Sequence, residues 1–327
     1  MPTPLMFMHD GAVDELICIP FLQAMPNVNL SGIWITPSDC LAVPTATVCG
    51  QLLNFINNTT TGLTYTETGS QRPFPWTYRQ YALMVNLLPF LNPPTGQVIP
   101  SARKICTRNG MDTATAMSVY DQIKQATDAA GEAMIFLITS PMTDFAMLLD
   151  LIPGFASEVA SITWMGGSIN AGGNIDTGIA IGANPNAEWN AYWDPYSVAQ
   201  VLQAGITINM FPLDVTNQFV LTTSILQQYF LPLAASSQMI NLACQMYALV
   251  AFQNGYSFWD TATAAYLGNP SLFTLTPTAI TINLDETDFN GFGCITTTNG
   301  PANVNIASTS QVSQFYQYLT NRLASLR

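Results

Sequence analysis

Short uncharged apolar runs alternate along this chain with longer stretches in which apolar residues recur every three or four positions. Residues 4–9 have the length and composition of a buried strand, and residues 13–24 the recurrence of a helix. The same pair repeats as a strand over 28–36 and a helix over 42–57. A polar, Thr-rich stretch, 57–72, predicts a loop. Residues 111–130 form an amphipathic helical pattern, and 133–139 (AMIFLIT) an uncharged β-prone run that predicts a central strand. A strand over 161–165 ends at Gly166 and Gly167. The Gly- and Asn-rich segment 170–185 is too long for an idle loop in a compact domain. A helix over 196–204 and a strand over 206–213 follow. Beyond them lie two apolar helical patterns over 224–252 broken near Pro232, a helix opening near Asp260, a strand over 278–284 and a closing helix over 310–326. This alternation predicts an α/β fold with a mostly parallel central sheet flanked by helices. No internal repeat or linker interrupts it, so residues 1–327 are read as a single domain.

Composition narrows the function. Hydrophobic residues make up 49% of the 327 and charged residues only 9%, so the chain is not of the disordered class. The net charge of −12, with eight Lys plus Arg, would repel a phosphate backbone and argues against nucleic acid as a partner. Small neutral ligands or cations suit it better. No apolar run approaches the roughly 20 residues that span a membrane, and residues 1–7 lack the basic start of a signal peptide. Cys18, Cys40, Cys49, Cys106, Cys244 and Cys294 include no C-x-x-C pair, which leaves zinc and redox chemistry without support. Their even number, the low charge and sequons at Asn29, Asn57 and Asn58 leave secretion open beside a cytoplasmic location.

In open parallel sheets ligands sit beyond the carboxyl ends of the strands, so polar residues following His9, Thr36, Thr139 and Met165 are where chemistry is expected. After the first strand, Asp10, Asp14 and Glu15 place three carboxylates within six residues around Gly11. Converging anions repel unless a cation neutralises them, and hard oxygen ligands favour calcium or magnesium. The plainer reading is that acids at a helix start cap it and suit its dipole.

The stretch from Met8 to Leu16 resembles the N-terminal signature of nucleoside hydrolases, and His9-Asp10-Gly11 that of their purine-preferring, inosine–adenosine–guanosine branch. Further blocks match in order: Ser38-Asp39-Cys40, Thr139-Ser140-Pro141-Met142-Thr143, Trp164-Met165-Gly166-Gly167, Asn174, Ala187-Glu188-Trp189-Asn190-Ala191-Tyr192-Trp193-Asp194-Pro195, Pro212-Leu213-Asp214-Val215-Thr216 and Trp259-Asp260. The resemblance implies a Rossmann-like fold with the active site at the C-terminal strand ends. It implies calcium-dependent hydrolysis of the N-glycosidic bond of purine ribonucleosides. Ca2+ would be held by Asp10, Asp14, Glu15, the Thr139 carbonyl and Asp260, and by ribose hydroxyls. Asp10 would activate a metal-bound water. Glu188, Asn190 and Asn174 would bind the 5′ side of the ribose, and Met165 would line the sugar pocket. Trp259 would stack on the base opposite Tyr78, with Trp76 as the competing aromatic, and Asp39 would meet the base or ribose edge. A homodimer is implied as well.

Three residues depart from the family pattern. Met8 stands where an Asp is common, Ala12 where the purine branch carries Asn, and Glu15 replaces Asp. They leave two alternatives open: a nucleosidase of different base specificity, and a weakly active or non-catalytic nucleoside-binding homologue.

Overall fold

The computed structural model describes residues 2–67, 81–92, 103–104, 111–180, 182–251, 253 and 255–326. Eleven strands are found among them: β1 (Thr3–His9), β2 (Val28–Ile35), β3 (Gly62–Tyr65), β4 (Arg103–Lys104), β5 (Met134–Ile138), β6 (Val159–Met165), β7 (Ile208–Phe211), β8 (Thr274–Thr278), β9 (Ile280–Ile282), β10 (Ile295–Thr297) and β11 (Val304–Ser308). Nine build one sheet in the order β4-β3-β2-β1-β5-β6-β7-β11-β8. Every neighbouring pair is parallel except β11 with β8. Strands β9 and β10 pair antiparallel in a separate ribbon.

Alternation along β1 sets the two layers. Leu5 and Phe7 face one apolar core, with α1 (Val13–Gln23), α2 (Ala42–Phe55), α11 (Gln238–Ala248), α12 (Trp259–Gly268) and α13 (Val312–Ala324). Met6 and Met8 face the other, with α4 (Thr113–Ala130), α5 (Thr143–Leu151) and α7 (Pro195–Leu202). A strand buried on both faces carries apolar residues at consecutive positions, as the MFMH of β1 does. The remaining α-helices are α3 (Tyr81–Asn86), α6 (Trp189–Trp193), α8 (Leu213–Thr216), α9 (Thr223–Ile225) and α10 (Leu231–Ala234), with short 3₁₀ and π turns between elements.

The expected α/β architecture is present, with three local corrections. The Thr-rich segment read as a loop contains β3, which pairs with β2. Pro232 does not break a helix: α9, the π turn Leu226–Phe230 and α10 run on without interruption, and Pro232 lies just after the π turn. The break falls at 235–237, before Ser237 caps α11 by accepting from the Ile240 N–H. The late strand divides into β8 and β9 around Ala279. No disulfide joins the five described cysteines, and Cys106 lies outside the described residues. Among the described residues no helix is long and apolar enough to cross a membrane.

The strand order reverses between β1 and β5. From β1 the chain moves outward through β2 and β3, then returns to β5 on the other side and continues to β6 and β7. Such a switch point opens a crevice above the strand ends.

Candidate active site

A cavity of about 530 Å³ lies at that crevice. Asp10 enters it from the end of β1, Thr139 from the end of β5 and Met165 from β6. Asp39 follows β2, Asn174 comes from the long loop after β6, Glu188 and Asn190 from the start of α6, and Trp259 and Asp260 from the first turn of α12. Asp14 lies just beneath. Trp76 and Tyr78, the two aromatics expected opposite Trp259, fall outside the described residues.

Gly11 makes the turn between β1 and α1. Its φ is +100°, and a Cβ there would overlap the side chain of Thr45, so only glycine brings Asp10 back over the helix start. Gly173 serves the long loop differently. A Cβ on it would meet the carbonyls of Pro185 and Ala187, and its absence lets the Asn174 N–H bond Ala187 while Asn174 Oδ1 accepts from Trp189 at 3.2 Å.

The carboxylates are deeply buried but differently engaged. Glu15 folds back over its own helix start. Its Oε2 accepts the N–H of Gly11 at 2.5 Å and of Ala12 at 2.7 Å, and its Oε1 accepts the Thr139 hydroxyl at 2.6 Å. Ala12 has no capping side chain, and Glu15 supplies the cap from inside the helix. The Asp14 carboxylate accepts four donors: the hydroxyls of Tyr247 and Thr261 and the N–H groups of Asp260 and Thr261, at 2.6 to 2.9 Å. It thereby caps α12 from α1. Glu188 caps α6 and also holds the Gly167 N–H at 2.7 Å. Asn190 donates to the carbonyls of Thr139 at 3.0 Å and Met165 at 3.1 Å, tying β5 to β6. Asp10 Oδ2 accepts the Asp39 N–H at 3.1 Å.

Burial raises the Asp10 carboxyl well above the carboxylate range, and the charges of Glu15 and Asp39 push it further. Burial does the same to Asp260, reinforced by Glu15 and Asp14. Burial lifts Asp14 to about 6 and Glu188 to about 7 against the donors that hold their ionised forms. At Glu15 burial also acts upward, but His9 and the surrounding hydrogen bonds outweigh it and the carboxyl falls below its usual value.

The donor set suits a hard divalent cation. Asp10, Asp14, Glu15, Glu188 and Asp260 are each at most 6% exposed, and no Lys or Arg lines the cavity among the described residues. Apart from His9, 3.8 Å from Glu15, these buried acids have no basic partner among the described residues, and such a cluster calls for a positive charge. Asp10 and Asp260, the most strongly raised, are the least committed to protein donors. As the side chains stand, no group of three or more described His, Cys, Asp or Glu residues is spaced to hold a metal, because Glu15 and Asp14 serve as helix caps.

Several lining residues were not anticipated: Tyr81, Asp176, Ile179, Trp189, Gln253 and Tyr256. Tyr256 supports the floor, its hydroxyl accepting the Asp14 N–H at 3.2 Å, and packs edge-on to Trp259 with ring centroids 4.9 Å apart. Its place three residues before Trp259 was the available signal. Tyr81 follows the aromatic-rich segment at 73–79 and hydrogen-bonds Gln253. His9 takes no part in the lining: it is fully buried, stacked on Phe7 at 4.7 Å and 3.5 Å from Cys49 Sγ.

Comparison with known proteins identifies the family and the fold. The chain is 30% identical over 224 residues to the non-specific ribonucleoside hydrolase RihC of Escherichia coli (strain SMS-3-5 / SECEC), covering 66% of this chain and 68% of that protein. RihC of strain K12 / DH10B is 32% identical over 209 residues, 62% of this chain and 64% of that one. The crystal structure of an inosine-uridine preferring nucleoside hydrolase from Bacillus anthracis superposes with a TM-score of 0.84 at 26% identity, covering 98% of this chain and 99% of the other. A purine-preferring ribonucleoside hydrolase from Gardnerella vaginalis shares the fold, with a TM-score of 0.71 at 18% identity over 99% of both chains. The sequence profile of the inosine-uridine preferring nucleoside hydrolases matches residues 5–317, and this chain belongs to that family.

Proposed function

We propose that the protein hydrolyses the N-glycosidic bond of ribonucleosides, with purine nucleosides preferred and Ca2+ as its metal. The observation that carries this reading is the meeting of Asp10, Asp260, Glu188 and Trp259 in one cavity. Acids and aromatics share its lining, Trp259 beside Asp260 and Trp189 beside Glu188.

A nucleoside fits with its ribose toward Asp10, Asp260 and Glu188 and its base beside Trp259. Asp10, at the strand end facing the sugar side of the cavity, takes the proton of the attacking water once the bound cation offsets the burial and the neighbouring charges that raise its carboxyl. The surrounding carboxylates stabilise the positive charge that develops on the ribosyl carbon. Asp10, Asp260 and the Thr139 carbonyl would hold the cation, with Asp14 and Glu15 beside them. Bound there, it supplies charge neutralisation and Lewis-acid polarisation. Asn174 and Asn190 border the sugar end with Met165.

The preference for purines rests on the leaving group. The only histidine, His9, is packed away from the cavity, so no imidazole is placed to protonate the base. Stacking on Trp259 favours a protonated purine by about 1–2 kcal/mol when desolvated. A broader specificity is the second reading, favoured by the likeness to RihC, named non-specific.

The test is base release from inosine, guanosine and uridine, with calcium and with chelator. Calcium-dependent release from inosine and guanosine well above uridine is the expected result. Equal release from all three supports the broad specificity. Binding of nucleoside without release overturns the enzymatic reading.

A further inference from the structure

We infer that Asn217 is a positioning residue that fixes the indole of Trp259, and through it sets the preference for purine over pyrimidine bases. This rests on the reading of Trp259 as the base-stacking wall. Trp259 is the first residue of α12, half-buried and packed against the core on one side, so part of its ring is open to solvent. Two contacts restrain it. Tyr256 meets it edge-on, at an interplanar angle of 63°. The indole Nε1–H donates to Asn217 Oδ1 at 2.8 Å, a short bond for a neutral N–H donor.

Asn217 is itself held firmly although its side chain is exposed. It ends α8, its N–H bonding the Leu213 carbonyl. The same turn is anchored by Asp214, whose two carboxylate oxygens accept the N–H groups of Ile169 and Asn170 at 2.9 and 2.8 Å. The Leu213 N–H in turn bonds the Gly167 carbonyl, and the Gly167 N–H bonds Glu188. One short turn therefore braces both the strap that carries Glu188 and the indole at the base end. A wall locked in one orientation favours the ligand with the larger flat face. The effect of freeing it therefore falls more on a purine, with two fused rings, than on a pyrimidine.

The experiment is a double-substitution cycle on the calcium-loaded full chain, using N217L, N217D, W259F and N217L/W259F, with kcat and KM for inosine and uridine and the thermal midpoint of each. N217L is expected to lower kcat/KM for inosine about fivefold, in keeping with loss of one exposed neutral hydrogen bond, and to change uridine less than twofold. N217D keeps the acceptor and is expected to stay within about twofold of the wild type. W259F removes the indole N–H, so N217L in that background is expected to add nothing. Equal losses for inosine and uridine, or an N217L effect that persists undiminished in the W259F background, overturn the inference. If the wild type binds inosine without releasing base, the proposed hydrolysis fails and the same cycle is run on inosine affinity, with the same expectations. A wild type that neither binds nor hydrolyses inosine overturns both readings.

Discussion

Two carboxylates illustrate how burial assigns different work to one residue type. Asp10 enters the cavity with the Asp39 N–H as the donor to its carboxylate and with Glu15 against it, which raises its carboxyl; a cation beside it would free it to accept a proton from water. Removing a general base of this kind costs about 10²–10⁴ in rate, and D10N also removes a proposed cation ligand, so it is expected to weaken nucleoside binding and to lose base release by at least that factor. Single-turnover release of hypoxanthine from inosine measures it. Asp144 does no chemistry. Its Oδ2 accepts Trp34 Nε1–H and the hydroxyls of Thr36 and Thr66, while Oδ1 is buried without a partner. Burial raises its carboxyl to about 6 from 3.8. The folded state thus binds this proton more tightly than the unfolded one, and Asp144 lowers stability as pH rises from about 4 through 6. At 1.36 kcal/mol per pH unit, the cost at neutrality is about 3 kcal/mol. D144N does not ionise, so its stability relative to the wild type is expected to improve from pH 4.5 to 7.5. Urea unfolding at the two values decides the matter, and a pH-independent difference contradicts it. Asp10 was legible because an acid after an apolar strand, followed by Gly, marks a switch-point loop. The four donors on Asp14 were not, since Tyr247 and Thr261 are more than 230 residues away in sequence.

Helix α1 shows how two readings of one motif coexist. The acids at its start were read either as metal ligands or as caps. Glu15 and Asp14 act as caps in the structure, Glu15 for α1 and Asp14 for α12, while both border Asp10 and Asp260. E15Q keeps one oxygen acceptor but loses the charge that holds the Gly11 and Ala12 N–H groups. It is expected to destabilise the fold by about 2 kcal/mol. D14N can keep its oxygen on the Asp260 and Thr261 N–H groups and donate its N–H₂ to the Tyr247 and Thr261 hydroxyls, so it loses the charge and is expected to cost about 1 kcal/mol. Denaturant titration of both variants in chelator separates capping from metal binding, because only capping survives without the ion. Elsewhere, elements were legible in proportion to their burial. The β1 and β5 runs are long, uncharged and buried on both faces, so their pattern stands out. Strand β3 is four residues with an exposed start, edge strand β4 is two, and the VNIAS of β11 mixes polar and apolar positions. Their identity comes from the neighbour they pair with, which lies far along the chain. Pro232 misled because a helix can run on past a proline that follows a π turn.

At the scale of the molecule, the sheet order decides where charge accumulates. Reversal between β1 and β5 gathers loops from separate parts of the chain above one crevice, and among the described residues these loops line it with acids and with no Lys or Arg. The fold therefore stores electrostatic repulsion at the site, in a chain whose net charge is already −12. A divalent cation that binds the folded crevice but not the unfolded chain relieves that repulsion and stabilises the whole protein. The gain follows RT ln(1 + [L]/Kd), about 2.7 kcal/mol at a hundredfold excess over Kd. For a chain of 327 residues that corresponds to a rise of about 1.5 °C per kcal/mol in the melting temperature. Calcium is thus expected to raise the thermal midpoint by several degrees over chelator, in a concentration-dependent and reversible way. D260N, which removes a ligand without touching the N–H groups that cap onto Asp14, is expected to abolish most of the rise. General screening behaves differently: it requires tens of millimolar salt, responds equally to sodium at matched ionic strength, and persists in D260N. A calcium response with that second profile would assign the buried acids to capping alone, and Asp10 would then have to act without a cation beside it.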